Sequence, residues 1–96
     1  MNDTTYTVEL SPVARRDLKR LPQKVQEEIL LVHLPEIQAN PFEIGSPLQG
    51  VLKEGRSYHF GRKPEYRIIY VVEGEVITVT IIGTRENIYK RARRRR

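Results

Sequence analysis

The sequence predicts an α+β domain in which an N-terminal helical hairpin packs on one face of an antiparallel β-sheet. Two observations indicate this class: apolar residues recur at helical spacing through residues 12–40 and at strand spacing through residues 56–82. A short alternating stretch precedes both, so the expected order is β-α-α-β-β-β, with a C-terminal helix also allowed. The chain has 96 residues, which predicts a single domain over 1–96 with a basic tail, 91–96. We expect the tail to contact phosphates without fixed geometry.

The helical half begins after a short strand. Tyr6 to Leu10 alternates apolar and polar residues, as half-buried strands do. Ser11 and Pro12 then suit the N-cap and the first helical position, where the missing N–H of proline costs no hydrogen bond. Pro22 should end this first helix. The apolar residues that share one of its faces are Ala14, Leu18 and Leu21.

A second helix should follow Pro22 and pack tightly against the sheet, because its apolar stripe is wide. Pro35 should kink or end it. His33 lies within the stripe and is expected to be a packing residue. The stripe consists of Val25, Ile29 and Val32, widened by Leu30, Leu31 and Leu34. Phe42 to Gly50 lacks periodic apolar residues and is predicted to be a loop.

The second half of the chain predicts three strands. Arg56 to Phe60 is a short strand, and Gly61 to Pro64 is a turn. Tyr66 to Val72 and Val76 to Ile82 are rich in Ile, Val, Tyr and Thr around a short glycine-containing loop, which predicts a β-hairpin. Thr84 can cap a C-terminal helix that starts near Arg85.

A two-residue loop at Glu73 and Gly74 would fix the register of this hairpin. The pairs expected on the helix-covered face are Tyr66–Ile81, Ile68–Val79 and Tyr70–Ile77. The pairs expected on the opposite, wetter face are Arg67–Thr80, Ile69–Thr78 and Val71–Val76. Alternation in the preceding strand should send Ser57 and His59 to the same face as Arg67.

Charge is distributed unevenly along the chain. The whole sequence has 17 basic and 12 acidic residues, yet residues 1–55 hold 6 basic and 8 acidic residues while residues 56–96 hold 11 and 4. A basic half on a small domain is typical of a protein that binds a polyanion, because each neutralised phosphate releases counterions. A solvated surface with an arginine-rich terminus would give the same count.

The composition excludes several kinds of site. The chain has no Cys, which excludes disulfides, thiolate metal ligands and a Cys nucleophile. The two histidines, His33 and His59, lack metal-ligand spacing, so we expect no metal and no cofactor. No apolar run approaches the ~18 residues of a membrane span, and the N-terminal residues are polar. We therefore expect a cytoplasmic protein with no membrane partner.

Four stretches, taken together and in this order, resemble the RelE/ParE superfamily of type II toxin–antitoxin toxins. They are YTVELSPVARRDLKRLP, PLQGVLKEGRSYHFG, EYRIIYVVEGEVITVTIIGTR and RENIYKR, and they cover nearly the whole chain. The fold of that family is a helical hairpin on a curved antiparallel sheet. This agrees with the fold predicted from the residues.

The resemblance implies a toxin that a cognate antitoxin protein neutralises, and a heterotetramer of the two is one assembly that it allows. Two targets stay open. RelE-like toxins are metal-independent endoribonucleases that cleave mRNA on the ribosome, whereas ParE-like toxins inhibit DNA gyrase without catalysis. A proline between the helices and the set Arg67, Arg85 and Tyr89 favour the RelE-like branch. The absence of the usual second-strand lysines favours the ParE-like branch, and a plain nucleic-acid-binding module is a third interpretation.

The resemblance also assigns roles to three residues. Arg67, in Tyr-Arg-Ile-Ile-Tyr, matches an arginine that stabilises the phosphate in RelE-like enzymes. Arg85, after the last strand, matches an arginine that stabilises the phosphate or assists the leaving group. Tyr89 matches a C-terminal tyrosine that stacks on a substrate base or lies near the scissile phosphate, and its spacing of four from Arg85 puts both on one helical face. A surface ion pair for either arginine, and a core position for Tyr89, are the structural alternatives.

The second strand departs from the family pattern. RelE-like enzymes usually carry lysine or arginine there at alternating positions, which Ser57 and His59 occupy in this chain. His59 could instead be the general base, since imidazole titrates near neutral pH; a structural role is the alternative. The residues expected to contact RNA phosphates around this site are Lys53, Arg56, Arg62, Lys63, Lys90 and Arg91.

Overall fold

The computed structural model describes residues 5–48 and 55–94, with side chains through Arg91. The strands are β1 (Thr7–Leu10), β2 (Ser46–Pro47), β3 (Arg56–Phe60), β4 (Tyr66–Glu73) and β5 (Val76–Thr84). The helices are α1 (Pro12–Lys19), α2 (Gln23–Glu28), α3 (Leu34–Ala39) and α4 (Arg85–Arg94), with a π-helical turn (Ile29–His33) between α2 and α3.

The strands form one sheet in the order β1-β5-β4-β3-β2. Neighbours are antiparallel except at one edge, where β1 runs parallel to β5, from Thr7 opposite Val76 to Leu10 opposite Val79. A parallel pair needs a long connection, which the helices and the intervening strands supply. The predicted α+β class and helical hairpin are confirmed, and the sheet is antiparallel apart from β1.

The main core lies between the helical hairpin and one face of the sheet. Its buried members are Ala14, Ile29, Leu34 and Ile37 from the helices and Tyr58, Ile68, Tyr70, Ile77, Val79 and Ile82 from the strands. On the opposite face, Ile88 of α4 packs on Ile69 and Ile81. The C-terminal helix therefore covers part of the face predicted to be wetter. No helix in the described part of the chain is long and apolar enough to cross a membrane.

Two predicted helix caps are confirmed. Ser11 caps α1, because its hydroxyl oxygen accepts a hydrogen bond from the N–H of Ala14 at 3.0 Å, and Pro12 is the first helical residue. Thr84 caps α4 in the same way and accepts from the N–H of Asn87 at 3.2 Å. A cap of this kind stabilises a helix by about 1 kcal/mol, so both helices begin where the sequence places them.

The second predicted helix is irregular. In its π-helical turn the N–H of Leu34 bonds to the carbonyl of Ile29, five residues earlier, immediately before Pro35, which has no N–H to offer. This turn is the irregularity expected near Pro35, but the helix continues to Ala39. The wider turn also rotates part of the apolar stripe into solvent, so its predicted packing against the sheet is wrong for three residues. They are Leu30, Leu31 and Val32.

The described part of Phe42 to Gly50, predicted to be a loop, contains a strand. Ser46 and Pro47 form β2 and pair with Ser57 and Arg56 of β3. The strand lies at the sheet edge, where proline is tolerated because no ladder hydrogen bond is needed on its outer side. Two residues are too few to show alternation, so the sequence carries no sign of this strand.

The hairpin register differs from the prediction. Its two-residue loop is Gly74-Glu75, one position later than expected. Tyr70 therefore lies opposite Val79 rather than Ile77. All three residues still face the helices, because a shift of two residues preserves the face of a strand.

A β-bulge changes the faces further along the hairpin. Thr80 is an extra residue in β5, since the pairing shifts by one residue at this point. Beyond it, Ile81 pairs with Ile69 and faces α4, while Ile82 faces the main core. The predicted place of Ile81 on the helix-covered face is therefore wrong.

The turn between β3 and β4 depends on a glycine. Gly61 has a φ of +81°, and a Cβ atom there would lie 2.8 Å from the carbonyl oxygen of Pro64. We expect Gly61→Ala to lower the free energy of unfolding by about 2 kcal/mol or more, because the left-handed backbone alone costs alanine ~1–2 kcal/mol and the clash adds to it. Urea unfolding measures the loss.

The matched control is Gly74→Ala. Gly74 also has a positive φ, +60°, but nothing lies within 4 Å of an added Cβ atom. Gly74→Ala should therefore lose only the ~1–2 kcal/mol of unfolding free energy that the left-handed backbone costs alanine. Equal losses in the two variants would contradict the predicted clash at Gly61.

Candidate active site

The antiparallel pairing of β3 with β4 places His59 directly opposite Arg67. Side chains in such a pair have Cβ atoms about 4.5–5.5 Å apart. His59 is exposed and Arg67 is partly buried. Ser57, opposite Ile69, lies on the same face but is only 5% exposed, and its hydroxyl has no hydrogen-bond partner among the described residues. The predicted alignment of Ser57, His59 and Arg67 on one face is confirmed.

A carboxylate lies beside this pair. The Nε and Nη2 atoms of Arg67 both lie 2.8 Å from Oε2 of Glu65. The hydrogen bond from Arg67 is the main cause that lowers the pKa of the Glu65 carboxyl, and the positive charges of Arg67, His59 and Arg85 act in the same direction. The hydrogen bond from Arg67 and the neighbouring basic side chains therefore favour a negative charge at this position.

Sequence reasoning missed Glu65. Glu65 stands immediately before β4 and two residues before Arg67, and the structure brings their side chains together. Without the structure, however, an acidic residue next to a turn is indistinguishable from ordinary surface charge.

The start of α4 brings the two remaining predicted catalytic residues together. The guanidinium carbon of Arg85 lies 4.9 Å from the ring centre of Tyr89, a cation–π contact. The backbone N–H of Arg85 donates to the carbonyl of Glu65 at 2.9 Å, which attaches this helix end to the residue before β4. Tyr89 is 44% exposed, whereas the neighbouring Ile88 is buried and anchors the helix. The expected shared face of Arg85 and Tyr89 is confirmed, and Tyr89 is not a core residue.

An open cavity of about 400 Å³ adjoins these side chains. It is lined by Arg62, Lys63, Pro64, Glu65, Thr84, Arg85 and Glu86. Two of the predicted phosphate-contacting residues, Arg62 and Lys63, are thus exposed on the same side as Arg85. Lys90 is exposed on α4 but does not line the cavity. Lys53 lies outside the described residues.

Arg56 has a structural role in the fold. Its Nη2 donates to the carbonyl oxygens of Phe42 at 2.8 Å and Gly45 at 2.6 Å. The guanidinium also lies 5.7 Å from the ring centre of Phe42. These contacts tie the segment before β2 to β3, and the predicted contact of Arg56 with RNA phosphates stays a prediction.

Arg91 is also held by the protein. Its Nη1 lies 3.2 Å from both carboxylate oxygens of Asp17, a buried residue of α1. The backbone of residues 91–94 continues α4, so this part of the predicted tail is helical, and its contact with phosphates stays a prediction. The cap at Thr84 and the buried Ile88 explain why a run of arginines is helical here. Residues 95–96 lie outside the described part.

His33 is a packing residue, as predicted. Its ring stacks on Phe60 at 3.9 Å, and its nitrogens lie 2.6 Å from the hydroxyl of Tyr58 and 2.8 Å from a carboxylate oxygen of Glu28. Burial raises the pKa of Tyr58, so this hydroxyl stays protonated and can donate to Nδ1 of the imidazole. Among residues 5–48 and 55–94, no group of three His, Asp or Glu side chains could hold a metal ion.

Comparison of the sequence with known families gives one match over most of the chain. Residues 8–89 fit the family model of the ParE toxin of the type II toxin–antitoxin system parDE. The chain is 31% identical over 88 residues to the toxin RelG of Mycobacterium tuberculosis, covering 90% of this chain and 98% of RelG. It is also 31% identical over 81 residues to the toxin RelE of the same organism, covering 84% and 80% of the two chains.

Solved structures agree with these matches. The toxin–antitoxin complex RelBE2 of Mycobacterium tuberculosis contains a chain that superposes with a TM-score of 0.77 at 26% identity, covering 88% of this chain and 95% of that chain. A free, doubly substituted form of the Escherichia coli toxin RelE superposes with a TM-score of 0.72 at 25% identity, covering 96% and 98%. The chain therefore belongs to the ParE toxin family of type II toxin–antitoxin systems and is a RelE-like toxin of the RelE/ParE superfamily.

Proposed function

We propose that this toxin is an endoribonuclease that cleaves mRNA on the ribosome without a metal ion in the chemistry. The observation that carries the proposal is the cross-strand pair of His59 and Arg67, beside the carboxylate of Glu65, which accepts a hydrogen bond from Arg67. Such a site offers a proton acceptor and a phosphate-binding cation within one side-chain length of each other. Toxins named RelE and RelG are the relatives that the chain resembles over most of its length.

The reaction needs only the substrate and protein side chains. The ribose 2′-oxygen attacks the adjacent phosphorus, the bond to the 5′-oxygen breaks, and the products carry a 2′,3′-cyclic phosphate and a 5′-hydroxyl. A base must take the 2′-proton, a cation must stabilise charge on the five-coordinate phosphorus, and the leaving oxygen must gain a proton. We assign His59 as the base and Arg67 as the main stabilising cation.

Glu65 positions Arg67 for this role. The carboxylate binds the Nε and Nη2 edge of the guanidinium, and Nη1 makes no hydrogen bond to any described residue. A phosphate oxygen can therefore approach Nη1 while Glu65 restricts the rotation of the side chain. The residue opposite Arg67 on β5 is Gly83, whose lack of a side chain leaves room for Asn87 and Ile88 of α4.

Arg85 and Tyr89 extend the site along α4. Arg85 is suited to the phosphate or the leaving oxygen, because its guanidinium is charged at all relevant pH values. Tyr89 exposes an aromatic ring on which an unpaired base can stack, an interaction worth ~1–3 kcal/mol per base. Arg62, Lys63 and Lys90 are exposed around the cavity and on α4, where they can contact flanking phosphates.

Ser57 does not replace a catalytic lysine. It is buried under the face that His59 and Arg67 share, and a hydroxyl carries no positive charge. The second strand therefore contributes one ionisable side chain, His59, where the family pattern has two basic positions. This makes proton transfer by His59 more important than in a site with two lysines.

A cognate antitoxin is the proposed protein partner. The similar chains of the Mycobacterium tuberculosis RelBE2 and Escherichia coli RelBE structures are bound to antitoxins. The net charge of +5 and the cationic active site favour a partner with acidic residues in the segment that covers them. A heterotetramer of two toxins and two antitoxins is the assembly that we propose.

The contact between Arg67 and Glu65 can be tested by titration. In Arg67→Ala the pKa of Glu65 should rise toward its ordinary value of 4.5, because the hydrogen bond that mainly lowers it is gone. Carbon-13 NMR of the glutamate carboxyls measures this. In the parent chain, the pairing should persist at neutral pH and be lost only as the pH falls through the lowered pKa. Arg62→Ala removes a nearby arginine that does not bond Glu65 and should leave the titration unchanged; an unchanged titration in Arg67→Ala would contradict the assigned contact.

Arg67 should dominate the chemical step. Charge on the phosphate grows in the transition state, so Arg67→Ala should lower the single-turnover rate of mRNA cleavage by ~10²–10³-fold while binding changes less. Arg67→Lys keeps the positive charge but loses the planar guanidinium, so its cleavage rate should lie between those of the parent chain and Arg67→Ala. Circular dichroism should show an unchanged fold. Arg15→Ala, which removes an exposed arginine of α1 that does not line the cavity beside Arg85, is the charge-matched control. A parental rate for Arg67→Ala would show that the active site lies elsewhere.

His59 should set the pH dependence of cleavage. A general base acts only when unprotonated, so the cleavage rate of the parent chain should rise with pH. His59→Ala should slow cleavage ~10²–10⁴-fold and remove this rise. Arg67→Ala should retain the rise at a lower rate, which separates the two roles. A pH profile that survives in His59→Ala would assign the base to another group.

A further inference from the structure

A second cavity, of about 640 Å³, lies between α1 and α4 at the edge of the sheet. β1 pairs with β5 only up to Val79, so the last residues of β5 are not covered by a neighbouring strand on this side. Ile82, Gly83 and Thr84 form the floor of the cavity, and α1 and α4 form its walls.

One face of α1 supplies the first wall. Its lining residues are Val13, Arg16, Asp17, Arg20 and Leu21, which recur at the spacing of a single helical face. Asn87 and Arg91 of α4, four residues apart, supply the second wall. Arginines from both helices thus project toward one space.

The acidic residue of the cavity is already satisfied within the protein. Asp17 is 8% exposed, and its carboxylate accepts hydrogen bonds from the N–H of Ile82 at 3.0 Å and from Arg91 at 3.2 Å. Arg16 and Arg20 form no ion pair with any described residue. The cavity therefore keeps a positive charge that the protein does not neutralise, and this charge is available to an anionic ligand.

The position of this charge is unusual for the chain. Residues 1–55 are acidic overall, yet four of their six basic residues are consecutive or nearly so on α1 and its C-cap. They are Arg15, Arg16, Lys19 and Arg20, the other two being Lys24 and Lys53. The basic charge of the acidic half is thus concentrated beside the basic α4.

We propose that this cavity binds the phosphodiester backbone of RNA outside the scissile bond, with Arg16 and Arg20 as its main contacts. Thr84 lines this cavity and also the one beside Arg85, so the two meet at the start of α4. That continuity favours a polyanion that runs past the active site over an acidic protein segment. The inference rests on the proposed function only in taking RNA as the ligand, because binding here needs no cleavage.

The test compares two double variants of equal charge. Arg16→Gln/Arg20→Gln removes the cavity arginines, and Arg15→Gln/Lys19→Gln removes two exposed charges from another face of the same helix. Thermal unfolding establishes that both fold. Binding is measured against salt concentration with a 20-nucleotide 2′-O-methyl RNA, which lacks the attacking hydroxyl, and with ribosomes free of mRNA.

The cavity variant should lose two phosphate contacts. Its plot of log affinity against log salt concentration for the oligonucleotide should have a slope that is shallower by about 1.4, from about 0.7 per lost phosphate contact. With equal affinities at 1 M salt, this slope difference makes the binding of the variant roughly 25-fold weaker than that of the parent chain at 0.1 M salt. The control variant should keep the parental slope. A loss with the oligonucleotide would identify the mRNA strand as the source of the phosphates, and a loss with ribosomes alone would identify ribosomal RNA; either result supports the proposal.

Three results would overturn the proposal. Equal losses of RNA affinity in both double variants would mean that only long-range electrostatic attraction was removed. The other two are unchanged affinity for both RNAs in the cavity variant, and weaker capture of the cognate antitoxin by that variant with RNA binding unchanged. These readouts do not depend on catalysis. They stay informative if the chain proves unable to cleave RNA.

Discussion

β5 contains one residue more than the part of β4 with which it pairs. The position of the side chains in the candidate active site depends on this extra residue, Thr80. The bulge is held on both sides. The hydroxyl of Thr80 donates to the carbonyl of Ile69 at 3.3 Å, and its own carbonyl accepts from the hydroxyl of Ser11 at 3.2 Å. Without the bulge, the pairing would continue in step and Arg67 would face Ile82. With it, Arg67 faces Gly83, and Ile82 is buried in the main core.

The same bulge turns Ile81 toward α4, where it packs with Ile69 and Ile88. This apolar contact, together with the cap at Thr84, determines where α4 lies on the sheet. Arg85 and Tyr89 are exposed on the helix that this contact holds in place. Asp17 adds a second attachment, because it binds the backbone of β5 and the side chain of Arg91 at once. Packing beneath the site and ion pairing at its edge therefore position the cationic side chains, none of which is itself part of a core.

Much of the fold follows from local patterns in the sequence. Helical and strand periodicity, the caps at Ser11 and Thr84, and the turn at Gly61 all act within a few residues, so they can be recognised without the structure. The shared face of His59 and Arg67 also follows from alternation along β3 and β4. The bulge at Thr80 lies in β5, so the pairing of β3 with β4 stays regular.

The remaining features depend on contacts between distant parts of the chain. A bulged threonine looks like any strand residue, and β2 exists only because β3 offers an edge to pair with. Leu30 and Leu31 fit an α-helical stripe, but the π-helical turn rotates them into solvent. The pairing of Asp17 with Arg91 joins residues 74 positions apart, so the structural use of that arginine could not be predicted from spacing. Glu65 was missed because its role depends on the hydrogen bonds that it accepts from Arg67, which its position before the strand does not reveal.

The proposal that this RelE-like toxin is a ribonuclease is tested most directly by the end groups of its products. The parent chain is incubated in single-turnover excess with ribosomes programmed with a defined mRNA, and the cleaved ends are identified by mass spectrometry. Attack by the 2′-oxygen predicts a 2′,3′-cyclic phosphate on the upstream fragment and a 5′-hydroxyl on the downstream one. Intact mRNA, together with inhibition of supercoiling by DNA gyrase in a parallel assay, would contradict the account and assign the toxin a non-catalytic target.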